Sequence, residues 1–260
     1  MAETDEPRIF LAEQKAGGLL LRHDITTPGF NIVALAKVLK IEVVKGGLEH
    51  VDAWLLRRDD GTGVIRVSDT IPDLNRQRFS IAHELGHWIL HEGRSQGYLC
   101  TAKDLRDYTH SPEEIEANLF AASLLIPRNF ISPSALTSDP NFNEVQNLAN
   151  TCKTSLTSAA RRLVELSKKK VILVCSWNGA ISWFLPNKSV PWLNFDKRVM
   201  PAKSMTRLAF DQKASVTPSQ SIKPSVWFPN CEWDREAELF EEVRYMKNLG
   251  MALTLLWLPS

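Results

Sequence analysis

The stretch "RFSIAHELGHWILHEG", residues 78–93, sets His83 and His87 four apart and places Glu84 directly after the first. On an α-helix, positions four apart lie one turn above each other on one face, so both imidazoles can point at one ion. Neutral imidazole is a good zinc ligand, and a catalytic zinc site takes three protein ligands and leaves a fourth position open to water. Glu84, a third of a turn past His83, reaches that water without binding the metal. The chemistry is metal-assisted peptide hydrolysis, with Glu84 taking the proton of the attacking water and passing it to the leaving amine. Ala82, Leu85, Gly86, Trp88 and Ile89 are uncharged, as a helix buried behind such a site requires, and Gly86 leaves room for a neighbouring backbone. The competing reading is a pair of core histidines satisfied by hydrogen bonds.

A third ligand separates the two readings. The segment after Ser111 offers Glu113, Glu114 and Glu116. Glu114 shares a helical stripe with Ala117, Asn118, Ala121 and Leu125, a face of small residues suited to packing closely against Gly86. Asn118, one turn on, can support a carboxylate or a ligating histidine from behind. Glu116 shares its stripe with Phe120 and Ser123 and is the alternative ligand. Ser111-Pro112-Glu113-Glu114 also reads as a capping box, in which Glu114 turns back to the helix start. Glu114 is the preferred ligand. His91, one turn past His87, is expected behind the ligands or in the core. A His-His-Glu set takes zinc and also accepts manganese or another divalent ion.

The elements that must hold these residues follow from periodicity. Apolar positions at helical spacing fall at Ile9, Ala12, Ala16, Leu19 and Leu20, and again at Ile32, Leu35, Ala36 and Leu39, predicting two opening helices. "KIEVVKG", "VDAWLLRR" and "GVIRVSD" predict a small sheet before the motif. Thr70, Asp73 and Asn75 are capping candidates for a motif helix over about 74–92. Ser111 followed by Pro112 starts the next helix and Pro127 ends it.

Two further helical segments, "NEVQNLAN" and "SLTSAARRLVELSKKK", flank a link over 151–154, and Asn178-Gly179 joins two strands in a hairpin. Pro186, Pro191, Pro201, Pro218, Pro224 and Pro229 punctuate 186–230, which reads as irregular. "MALTLLWL" is a buried strand, while "AELFEEVRYM" fits helix and strand periods equally. The fold class is α+β: a small sheet with the motif helix and the third-ligand helix over 1–140, a helix-turn-helix-like segment over 141–170, and a β-containing region over 171–260.

The chain has 260 residues, 44% of them hydrophobic, enough for a substantial core, and its formal net charge is +1. Nucleic-acid binding would therefore need a local patch. Lys153, Arg161, Arg162 and Lys168 to Lys170 make the helical pair locally basic, but a near-neutral chain has little reserve for phosphate contacts, so DNA is an unfavoured partner. Cys100, Cys152, Cys175 and Cys231 are scattered and form no paired motif, which fits reduced thiols in the cytoplasm. "MAETDEPRIF" lacks the layout of a signal peptide and no apolar run approaches a membrane span, so no membrane association is expected.

"NRQRFSIAHELGHWILH" followed by "EIEANLFAASLLIP" resembles the ImmA/IrrE family of metallopeptidases, most specifically over 75–127 and weakly beyond 186. The resemblance implies a thermolysin-like zincin core with His83, His87 and Glu114 as zinc ligands and Glu84 as general base. It also implies a substrate class, helix-turn-helix transcriptional repressors, cleaved to release stress-response or mobile-element genes. His91 belongs to the family pattern. Arg76 and Arg78 are expected to form surface pairs. Trp177, Trp183, Trp192, Trp227, Trp233 and Trp257 cluster late and read as core packing, with a ligand-sensing C-terminal region as the alternative. The rival to the enzyme is a metal-stabilised regulator that binds a repressor or DNA without hydrolysis.

Overall fold

The computed structural model describes residues 7–48, 51–92, 98–101, 111–190, 199–213, 216–229 and 238–259. Pro191, Trp192, Cys231 and Trp233 lie outside the described residues. The chain divides into two units, one of residues 1–130 with 150–155, the other of 131–149 with 156–260.

The first unit opens with α1 (Ile9–Arg22) and α2 (Ile32–Val38). Asn31 caps α2 by accepting from the backbone N–H of Val33 and Ala34. Strands β1 (Ile41–Gly46), β2 (Val51–Arg57), β3 (Gly63–Ser68) and β4 (Tyr98–Thr101) form a sheet in the order β1-β3-β2-β4. β1 runs parallel to β3, and β2 is antiparallel to both β3 and β4. Because side chains alternate along a strand, Ala53 and Leu55 face the same way as their partners Val67 and Ile65, and all four are buried.

Onto this sheet packs α3 (Leu74–Leu90), the motif helix. Asp73 caps it, accepting from Asn75 N–H at 2.9 Å, and the helix stops at Leu90, two residues short of the predicted end. Helix α4 (Pro112–Leu125) packs against both α3 and α1, with Ser111 at its cap and Pro112 in its first turn. Ala117, Phe120, Ala121, Leu124 and Leu125 are all but sealed from solvent.

The second unit contains α5 (Pro133–Thr137), most of α6 (Phe142–Cys152) and α7 (Leu156–Leu166). The helical link is shorter than predicted: α6 runs to Cys152, and Lys153 leaves it in a left-handed conformation, φ 53°. Five strands, β5 (Val171–Trp177), β6 (Ala180–Pro186), β7 (Val216–Ile222), β8 (Leu239–Met246) and β9 (Met251–Trp257), make an antiparallel sheet ordered β6-β5-β9-β8-β7. Asn178 and Gly179 both have positive φ, 48° and 81°, as the predicted two-residue hairpin turn requires.

The stretch expected to be irregular contains α8 (Met205–Gln212) and β7, which corrects the reading of 186–230. Pro218 is tolerated because β7 is an edge strand whose register slips between Thr217 and Gln220. One apolar cluster gathers Ile172, Val174, Ile181, Trp227, Phe228, Leu239 and Leu256; another gathers Ala209, Val243, Tyr245 and Ala252. Trp227 and Trp257 are buried as core residues, whereas Trp177 is partly exposed. Cys152 and Cys175 are both buried. Among the described residues no helix is long and apolar enough to cross a membrane.

Candidate metal centre

Gly86 is where α3 and α4 come together. A Cβ there would stand 3.0 Å from Ala117 Cα and 3.1 Å from its carbonyl oxygen, so only glycine lets the helices approach this closely. The approach brings the carboxylate of Glu114 to the two histidines. His83 Nε2 and His87 Nε2 are 3.0 Å apart, Glu114 Oε2 is 3.1 Å from His83 Nε2, and Glu114 Oε1 is 3.2 Å from His87 Nε2. His83, His87 and Glu114 form the one group with metal-ligand geometry among the described residues.

The donor set fits a zinc ion. Ligand atoms about 2.0–2.1 Å from a tetrahedral zinc stand about 3.3 Å from each other, close to the spacing seen here. The far side of each ring points to the same conclusion. His83 Nδ1 lies 3.0 Å from Asn118 Oδ1, an acceptor, which places the ring proton on Nδ1 and leaves the Nε2 lone pair facing Glu114. His87 Nδ1 lies 3.0 Å from His91 Nδ1, and His91 Nε2 lies 3.1 Å from Glu116 Oε2. Glu116 can only accept, so His91 donates to it and accepts from His87, and the His87 lone pair also faces inward. Two lone pairs and a carboxylate then converge at hydrogen-bond distance, an arrangement that needs a cation between them.

The electrostatics agree. Burial pulls the His87 imidazole down to about 4, keeping it neutral and able to ligate, so its contact with Glu114 is not an ion pair. Glu84 is sealed from solvent, and neither of its carboxylate oxygens has a hydrogen-bond partner among the described residues. Burial pushes its carboxyl up to about 8, with His83 opposing and Glu114 adding to the shift. A buried carboxylate without a partner is costly, and it persists here beside the converging donors.

The capping-box alternative for Glu114 is half realised. Ser111 Oγ accepts from Glu114 N–H at 3.4 Å, while the Glu114 carboxylate goes to the histidines. Glu116 lies outside the ligand group; burial acts to raise its carboxyl, but hydrogen bonds from Arg8 and His91 prevail and hold it down at about 2. Asn118 Oδ1 and His91 Nδ1 lie at the Nδ1 side of the His83 and His87 rings, away from Glu114. Arg76 pairs with Asp52, Nη2 to Oδ2 at 2.6 Å. Arg78 departs from its expected surface pair: it donates to the carbonyls of Phe30 at 2.7 Å and Lys153 at 3.2 Å.

Two residues near the site carry no signal in the sequence. Arg57 on β2 donates to the carbonyls of His87 and Trp88 and lies 4.2 Å over the Trp88 ring, tying down the end of α3. Arg8 binds Glu116 through both its backbone and its guanidinium. In the helical pair, Arg162 is buried and sits 3.4 Å from Glu165, and Arg161 lies 4.5 Å over the Trp183 ring.

No curated protein matches the chain. Residues 36–164 match the family described as the IrrE N-terminal-like domain, Peptidase_M78, and this span includes the sheet, both ligand-bearing helices and every residue of the His83-His87-Glu114 group. Residues 36–164 are thus an IrrE N-terminal-like domain of the ImmA/IrrE metallopeptidase family.

Proposed function

We propose that the protein is a zinc endopeptidase with a thermolysin-like core, in which His83, His87 and Glu114 hold the ion and Glu84 is the general base. The observation that carries this reading is the convergence of three side chains, with ligand atoms 3.0–3.2 Å apart, beside a buried carboxyl group that has no hydrogen-bond partner among the described residues. Zinc bound there would supply a Lewis acid for the scissile carbonyl and make water nucleophilic near neutral pH. Asn118 and His91 keep both ligand rings in the tautomer that offers Nε2. Glu84, following His83 on the same helix, takes a proton from the attacking water and hands it to the leaving amine. Manganese or another divalent ion suits the same donors.

The proposed substrate is a helix-turn-helix transcriptional repressor in the cytoplasm, cleaved to release stress-response or mobile-element genes. Its support is the likeness of "AHELGH" and the "EIEANLFAASLLIP" helix to the ImmA/IrrE family. The test is to incubate zinc-loaded protein with purified helix-turn-helix repressors and map new N-termini by mass spectrometry. Cleavage by wild type and none by Glu84→Gln, which still binds zinc, is the expected result. Equal release of repressed genes by wild type and Glu84→Gln in cells would instead favour a regulator that displaces the repressor without hydrolysis.

A further inference from the structure

Behind His87 a chain of hydrogen bonds runs out of the site to the start of α1. Glu116 Oε1 accepts from Arg8 N–H at 2.7 Å and from Arg8 Nε at 3.0 Å, and Glu116 Oε2 accepts from Arg8 Nη2 at 2.8 Å. Arg8 Nη2 also reaches the carbonyl of Leu90, next to His91, at 3.3 Å. Glu116 and His91 are buried, whereas the Arg8 side chain is about half exposed.

We propose that Arg8 is a positioning residue for the metal centre: through Glu116 and His91 it fixes the ring of His87 and so sets the affinity and geometry of metal binding. Direction in this chain is dictated by chemistry. An arginine can only donate and a carboxylate can only accept, so Arg8 and His91 both donate to Glu116, His87 Nδ1–H donates to His91 Nδ1, and His87 Nε2 is left as a lone pair. Glu116 gripped by a planar guanidinium and a backbone N–H cannot swing, which prevents it from competing with Glu114 for the ion and keeps His91 from turning its ring. Residues that orient a ligating histidine in this way contribute to metal affinity without touching the metal. The role joins the first residues of the described chain to a site on helices far along the sequence. A purely structural tie between α1 and α4 would use the same contacts, so the two must be separated by what each does to the metal.

The inference rests on the metal-centre reading above. The test uses the full chain stripped of metal, with zinc affinity measured by competition against a chromophoric chelator and geometry by the visible spectrum after cobalt substitution. Glu116→Gln keeps the shape of the side chain and is expected to weaken zinc about 10- to 100-fold. Arg8→Met is expected to weaken zinc in the same direction and to alter the cobalt bands, and Arg8→Lys to restore part of both. His87→Ala serves as the control that removes a ligand. If Arg8→Met and Glu116→Gln bind zinc within about twofold of wild type, with unchanged cobalt spectra, while His87→Ala loses the metal, the positioning role is overturned and the metal centre stands. If wild type binds neither ion, both readings fall together.

Discussion

Gly86 and Ala117 meet backbone to backbone at the crossing of α3 and α4, the contact that sets Glu114 beside His83 and His87. In an exposed helix, Gly→Ala gains about 1 kcal/mol from propensity. Here the new methyl would press on backbone atoms at 3.0 and 3.1 Å. Overpacking of this kind costs about 1–3 kcal/mol. Gly86→Ala is therefore predicted to be destabilising in urea unfolding and to weaken zinc binding. A variant more stable than wild type would show that the helices can slide apart at no loss.

Asn118→Ala removes the acceptor for His83 Nδ1–H, which sits 3.0 Å away. The ring is then no longer held in the tautomer that presents Nε2, and zinc affinity is predicted to fall about 10- to 100-fold. Chelator competition measures this directly, and an unchanged affinity would mean that the ring is held by its packing alone.

Arg57→Ala frees the carbonyls of His87 and Trp88 and exposes the indole that the guanidinium covers. The expected cost is about 1–3 kcal/mol of stability, with faster hydrogen exchange in the last turn of α3. Exchange unchanged at residues 87–91 would remove Arg57 from the supporting structure.

A pH signature is expected from Glu241 in the second unit. Its carboxylate accepts from Met205 N, Thr206 N, Thr206 Oγ1 and Trp227 Nε1. Burial pushes its carboxyl above the ordinary value of 4.5 while those four donors pull the other way, and the net direction is upward. A raised carboxyl contributes stability that is fully present below its unfolded value and is lost as pH rises through the folded one. Wild type should thus lose stability relative to Glu241→Gln as pH rises from about 4.5 toward neutrality. Urea titrations of both proteins across that range check the sign, and a constant difference would mean that the carboxyl is not shifted.

The ligand-bearing helices were legible because their information is local. The spacing of His83 and His87, the cap at Asp73, the Ser111-Pro112 start and the stripe from Glu114 through Ala117 to Leu125 all lie within a few turns. Asn178-Gly179 was legible for the same reason. What the sequence hid is long-range. Nothing near Arg8 points to Glu116, 108 positions away, and Arg57 is an ordinary strand arginine until α3 folds over it. Strand β8 was ambiguous because Glu241 and Glu242 occupy buried positions, paired with Thr206, Trp227 and the Phe142 N–H, which blurs the alternation that marks a strand. The proline-punctuated stretch hid β7 because Pro218 is permitted at a slipped register on a sheet edge.

Metal content per chain, measured by elemental mass spectrometry after zinc reconstitution of wild type, His87→Ala, Glu114→Ala and Glu116→Ala, shows whether His83, His87 and Glu114 hold an ion. About one zinc is expected in wild type, little in His87→Ala and Glu114→Ala, and zinc retained at reduced affinity in Glu116→Ala. No zinc in wild type, or equal zinc in all four proteins, would contradict that assignment.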